Sequence, residues 1–83
     1  MWKFDRTRLI ALRESQGLTQ VEFARKIGGI YKQPISDWEN GKITPSTKML
    51  VRIANVFGIV PAFFYIREAD STETIKEVED ATT

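Results

Sequence analysis

The stretch from Leu18 to Gly29 leaves this chain the least freedom. Thr19 followed three residues later by Glu22 has the spacing of a capping box, in which each side chain satisfies a backbone N–H that the first helical turn leaves unpaired. Leu18 before the cap and Phe23 after the first turn have the spacing of a hydrophobic staple. Gly28-Gly29 then supplies residues that tolerate the positive φ angles at which a helix stops. Between these signals fits a helix of roughly two turns, with Phe23, Ala24 and Ile27 turned inward.

Similar punctuation divides the rest of the chain. Asp5 is a good N-cap for a helix over Arg6–Ser15 with Leu9 and Leu12 on one face, ended by Gly17. Proline fits a first helical turn and steers the residue before it out of the helical region, so a third helix is expected to begin at Pro34 with Gln33 as its cap. Ile35 and Trp38 form its apolar pair, and Asn40-Gly41 is its stop. Thr44-Pro45 reads as cap and first residue of a fourth helix, where Leu50, Ile53, Ala54 and Phe57 make one stripe before Gly58. A short fifth helix from Pro61 would return Phe64 and Tyr65 to the core. The expected fold is an all-α, compact five-helix domain over residues 1–66, with an acidic, mobile C-terminal tail over 67–83.

Composition narrows the function. The chain has no cysteine and no histidine, which removes thiolate chemistry, the commonest metal ligand and the commonest general base. No enzyme activity, metal or cofactor is expected, since no Ser, Asp or Glu has a base or ligand set arranged around it. No apolar run approaches the ~20 residues of a membrane span, and the start Met-Trp-Lys-Phe-Asp lacks the apolar stretch of a secretory signal; a cytoplasmic protein is expected. The net charge of +1 hides an asymmetry. Residues 1–67 hold eleven Lys and Arg against five Asp and Glu, a balance of +6, whereas residues 68–83 hold one Lys against six Asp and Glu, a balance of −5. A basic body is what phosphate binding requires, and it is also what a solvated mixed-charge surface looks like.

Two short helices joined by a glycine-containing turn, the second with polar residues at its start, form a helix-turn-helix arrangement at helices two and three. Gln33, Ser36 and Asp37 face away from Ile35 and Trp38 at the end from which a groove-inserted helix reads bases, with Lys32 just before them. Glutamine can bond adenine bidentately, and lysine can reach guanine or a phosphate. Asp37 either accepts from a cytosine amino group or is a solvated carboxylate held off the phosphates.

The run from Leu12 to Tyr65 resembles the lambda-repressor-like, or Xre, family of helix-turn-helix regulators. The resemblance is carried by Leu12-Arg13-Glu14, Gly17-Leu18-Thr19-Gln20, Phe23-Ala24, Ile27-Gly28, Ile35-Ser36, Trp38-Glu39-Asn40-Gly41-Lys42, Pro45-Ser46, Leu50, Ile53-Ala54 and Phe57-Gly58. It implies a sequence-specific binder of double-stranded DNA that acts as a transcriptional repressor. Thr19 and Gln20 at the start of helix two would hold a phosphate, aided by free amides and the helix dipole; Asn40 and Lys42 match positions that hold the DNA backbone. Arg13 and Glu39 match an ion pair that bridges the first and third helices. Members often dimerise near the fifth helix, and here Met49, Val56, Val60, Phe63 and Ile66 are apolar residues that the first core stripe does not need. Either a homodimer on a palindromic operator covers them, or Trp2 and Phe4 fold back to do so.

One departure stands out. Gly28 to Ile35 takes seven steps where the family usually takes six, and Tyr31 replaces the usual Ser or Thr cap. The extra residue is expected to lengthen the turn through Gly29-Ile30-Tyr31-Lys32, delaying the third helix and leaving Lys32 on a loop beside the groove. Two other functions fit the same body: an antitoxin whose acidic tail folds on a basic toxin, and a protein-interaction module that does not bind DNA.

Overall fold

The computed structural model describes residues 1–67. Strand β1 (Trp2–Phe4) leads into helix α1 (Arg6–Ser15), followed by α2 (Gln20–Ile27), α3 (Lys32–Glu39) and α4 (Thr47–Phe57). A single 3-10 turn over Pro61–Phe64 then runs into strand β2 (Tyr65–Arg67). The five-helix, all-α expectation is therefore corrected: among the described residues there are four α-helices, and the fifth segment is one turn that straightens into a strand. β1 and β2 pair antiparallel, with Trp2 opposite Arg67, Lys3 opposite Ile66 and Phe4 opposite Tyr65. Aromatic and β-branched side chains suit such a ladder. The expected tail begins with Arg67, which belongs to β2; its remainder, 68–83, lies outside the described residues.

Leu9 and Leu12 of α1, Phe23, Ala24 and Ile27 of α2, Ile35 and Trp38 of α3, Leu50, Ile53 and Ala54 of α4, and Phe64 form one buried core. Phe57 stacks on Phe23 with ring centroids 5.2 Å apart. Burying each of the larger of these side chains stabilises the fold by about 1.5–3 kcal/mol. The two ends of the described chain are tied over α1, where Asp5 N–H donates to Phe64 O at 2.8 Å and Arg8 Nη1 donates to the carbonyls of Phe63 and Tyr65 at 3.2 and 3.3 Å.

Two helix starts differ from expectation. Helix α3 begins at Lys32, two residues before Pro34, with Tyr31 in the cap position and no side-chain cap bond. Gln33 is thus the second helical residue, not the cap. The physical reason is that all N–H groups of a first turn lack intrahelical partners, so proline costs no hydrogen bond at the third position either. The conformational bias on Gln33 is then outweighed by the burial of Ile35 and Trp38. Helix α4 starts at Thr47, because the Ser46 hydroxyl, not that of Thr44, caps it by accepting from Met49 N–H at 3.1 Å. Pro45 sits before the cap, buried.

Candidate nucleic-acid interface

The two helices that frame the candidate surface are set against each other by one buried carboxylate. Glu39, on the last turn of α3, is 5% exposed. Its Oε2 accepts from Arg13 Nε at 2.7 Å and its Oε1 from Arg13 Nη2 at 3.0 Å, a bidentate ion pair between α3 and α1. Gln20 Nε2 donates to the same Oε1 at 3.1 Å, which brings the start of α2 into the cluster. Arg13 Nη1 donates to Leu18 O at 2.9 Å, and Arg6 Nη1 donates to the Glu39 backbone oxygen at 2.8 Å. The hydrogen bonds to Glu39 and its negative charge push the Arg13 guanidinium further up from its already high ordinary pKa, so the cation is locked on. A pair this dry stands only because nearly every donor and acceptor is matched.

Helix α2 opens as the sequence reading expects. Thr19 Oγ1 accepts from Glu22 N–H at 3.1 Å, and Glu22 Oε1 accepts from Thr19 N–H at 2.8 Å. The Thr19 backbone N–H, and after it the Thr19 hydroxyl, hold the Glu22 carboxyl below the usual carboxylate range. Thr19 is exposed and Gln20 half-buried, with the Gln20 amide nitrogen aimed at Glu39 rather than outward.

The turn between α2 and α3 closes at Gly28-Gly29, as the sequence leads one to expect, and through Arg52, which the sequence reading did not single out. Gly29 has φ +72°, and a Cβ there would come within 3.1 Å of the Arg52 guanidinium, which reaches from α4 to donate to Gly28 O. The extra residue is absorbed in Gly28–Tyr31, and α3 still starts at Lys32. Lys32 is therefore on the first turn of α3, not on a loop. Tyr31 beside it is 83% exposed.

Lys32 and Gln33 are exposed on that first turn, and Ser36 and Asp37 continue the same face, half-buried. Gln33 Nε2 donates to Asp37 Oδ1 at 2.9 Å, and Asn40 Nδ2 donates to Ser36 Oγ at 3.3 Å. Past Asn40 the chain reverses in a Schellman arrangement: Lys42 N–H donates to Asp37 O at 2.9 Å and Gly41 N–H to Trp38 O at 3.3 Å. Gly41 takes φ +77°, a conformation that a side chain would strain. Asn40 and Lys42 are thus exposed at the far end of the face from Lys32.

Of the apolar residues expected at an interface, Val56, Val60 and Phe63 are exposed, Val60 to 67%, while Met49 and Ile66 are half-buried. Phe4 packs on the core, but Trp2 remains 63% exposed and has Arg67 over its ring at 5.9 Å. Among the described residues no group of three or more Asp or Glu converges as a metal ion would need, and no helix is long and apolar enough to cross a membrane.

Comparison with known proteins agrees with this frame. A family profile described as helix-turn-helix matches residues 9–64. A protein of Archaeoglobus fulgidus described as an HTH-type transcriptional regulator is 40% identical over 52 residues, covering 63% of this chain and 73% of its own length. A second protein so described, from Methanocaldococcus jannaschii, is 38% identical over 58 residues, covering 70% of this chain and 86% of its own. No solved structure matches.

Proposed function

Since this chain belongs to the helix-turn-helix family, we propose that it is a DNA-binding transcriptional regulator that lays α3 in the major groove of double-stranded DNA. The observation that carries this reading is the division of α3 into two faces. Ile35, Trp38 and Glu39 are buried against the rest of the domain, while Lys32, Gln33, Ser36 and Asp37 face outward from the helix start. A helix supported in this way offers its N-terminal side chains to base edges.

The division of labour follows from the chemistry. Gln33 and Ser36 read bases, and Lys32 reaches guanine or a phosphate from the first turn. Thr19 and the free amides of α2 hold one phosphate, where the helix dipole favours negative charge, and Gln20, whose Nε2 has a second N–H beside the one given to Glu39, adds to it. Asn40 and Lys42 hold another beyond the C-terminal end of α3. The regulator acts as a repressor, by occupying its operator. Two copies meet through Met49, Val56, Val60, Phe63 and Ile66, which places two α3 helices roughly 34 Å apart on a palindromic site.

Selection of bound duplexes from a random pool, with the mass of the complex measured in solution, tests this reading. The expected result is a two-fold symmetric sequence bound by two copies. Gln33→Ala then changes the preferred base at one position in each half-site, whereas Lys42→Ala weakens all duplexes alike and lowers the salt dependence by about one phosphate contact. Failure to retain any duplex at low salt overturns it.

A further inference from the structure

Asp37 is a poor residue to point at DNA. Its carboxylate repels phosphates, it lies in no salt bridge among the described residues, and yet it sits on the outward face of α3. Among the described residues its one side-chain partner is Gln33, one turn earlier, whose Nε2 is 2.9 Å from Oδ1. An ionised carboxylate only accepts hydrogen bonds, so it fixes which end of the Gln33 amide faces it: the nitrogen must, and Oε1 must turn the other way.

That constraint has a consequence for which base Gln33 can read. An unconstrained glutamine amide has two N–H donors and an oxygen, and can turn either combination towards a base. Guanine presents two acceptors in the major groove, N7 and O6, whereas adenine presents the N7 acceptor beside the N6 donor. Once the N–H that points back along the side chain is bonded to Asp37, a single N–H next to Oε1 remains. One donor beside one acceptor matches adenine and sets Oε1 against guanine O6.

Resting on the DNA-binding reading above, we propose that Asp37 is a positioning residue for Gln33, whose bond restricts that amide to adenine at the expense of overall affinity for DNA. The aspartate contacts no base itself.

The test uses the full chain, duplex selection, and binding curves on the selected duplex and on versions carrying G·C at the position that Gln33→Ala identifies. The wild type selects adenine there over guanine by on the order of 10-fold to 100-fold. Asp37→Ala removes the acceptor and lowers that preference at least about threefold. It simultaneously binds every duplex about two- to fivefold more tightly, because a negative charge beside the phosphates is gone. Asp37→Asn gains the same general affinity, but its amide can donate as well as accept and so no longer fixes the Gln33 amide one way round; the adenine preference falls in this variant too. In a Gln33→Ala background, Asp37→Ala leaves base preference unchanged. A loss of packing alone would not raise affinity and lower discrimination together. The proposal is overturned if Asp37→Ala keeps the full preference, if Asp37→Asn, which does not hold the amide one way round, keeps it undiminished, or if the selected base is not adenine. In each of those cases DNA is still bound and the broader reading stands, whereas absence of any selected duplex removes both.

Discussion

Helices α2 and α3 have the same length, eight residues each, but are held by different means. Helix α2 carries its own start: Thr19 and Glu22 exchange bonds within four residues, and Leu18 packs against the core below. Helix α3 has no side-chain cap at all. It is fixed from its other end and from outside, by Arg13 and Arg6 on the last turn and by Arg52 on the preceding loop. The difference suits their tasks. In α3 the exposed side chains of the first turn are not used up in capping and stay available to a ligand, while distant groups hold the helix still. In α2 the capping box leaves the remaining first-turn amides free.

This contrast can be broken most forcefully at Glu39. Replacing Arg13 or Glu39 by alanine leaves a buried partner unpaired and is expected to destabilise the domain by about 3–5 kcal/mol, measured by denaturant unfolding. The paired replacement Arg13→Met with Glu39→Leu should cost less than either single change. Hydrogen exchange should show α3 losing protection before α2 in Glu39→Ala. At the other helix, Thr19→Ala should cost about 1 kcal/mol, with the loss of protection concentrated in the first turn of α2. Arg52→Ala removes an exposed charge-assisted bond, so about 0.5–1 kcal/mol is expected, seen as faster exchange in α3 rather than in α4.

The smallest effect is that of pH on Glu22. Its carboxyl is held below the ordinary value in the folded chain, so its contribution to stability is fully present above the unfolded value and is lost as pH falls through the lower folded one. Glu22→Gln should therefore flatten the acid limb of a stability-versus-pH curve while leaving the neutral region nearly unchanged. A flattening centred near neutrality would assign the titration to another group.

The same contrast explains what could be read from the amino acids alone. The starts of α1 and α2 are written in short-range chemistry, Asp5 accepting from Thr7 N–H and Thr19 exchanging with Glu22, and both follow from spacing. The start of α3 is not, because its stability comes from Ile35, Trp38 and Glu39 being buried by other helices, and Pro34 taken alone points two residues too late. In α4, two neighbouring hydroxyl residues compete for one cap, and the reach of Ser46 to Met49 N–H decides between them. The strand pair was invisible for a related reason. Trp2–Phe4 and Tyr65–Arg67 each have too little local pattern to announce a strand, and their ladder joins the two ends of the described chain.

For the candidate site, helical periodicity puts Gln33, Ser36 and Asp37 on one outward face once Ile35 and Trp38 are assigned inward. The Gln33–Asp37 bond lies at the i, i+4 separation that such a face brings together. The bonds from Gln20 to Glu39, Arg6 to Glu39 O and Arg52 to Gly28 O join residues 19, 33 and 24 positions apart, and no local signal marks them.

The central claim is that the outward face of α3, supported by the Glu39 cluster, is the surface that meets DNA. Backbone amide chemical shifts of the full chain, followed as the selected duplex is added, test it most directly. The expected result is that the largest changes fall on Lys32, Gln33, Ser36 and Asp37, with a second set at Thr19, Gln20 and Lys42. Changes confined to the face of Val56, Val60 and Phe63, with α3 unmoved, would contradict it.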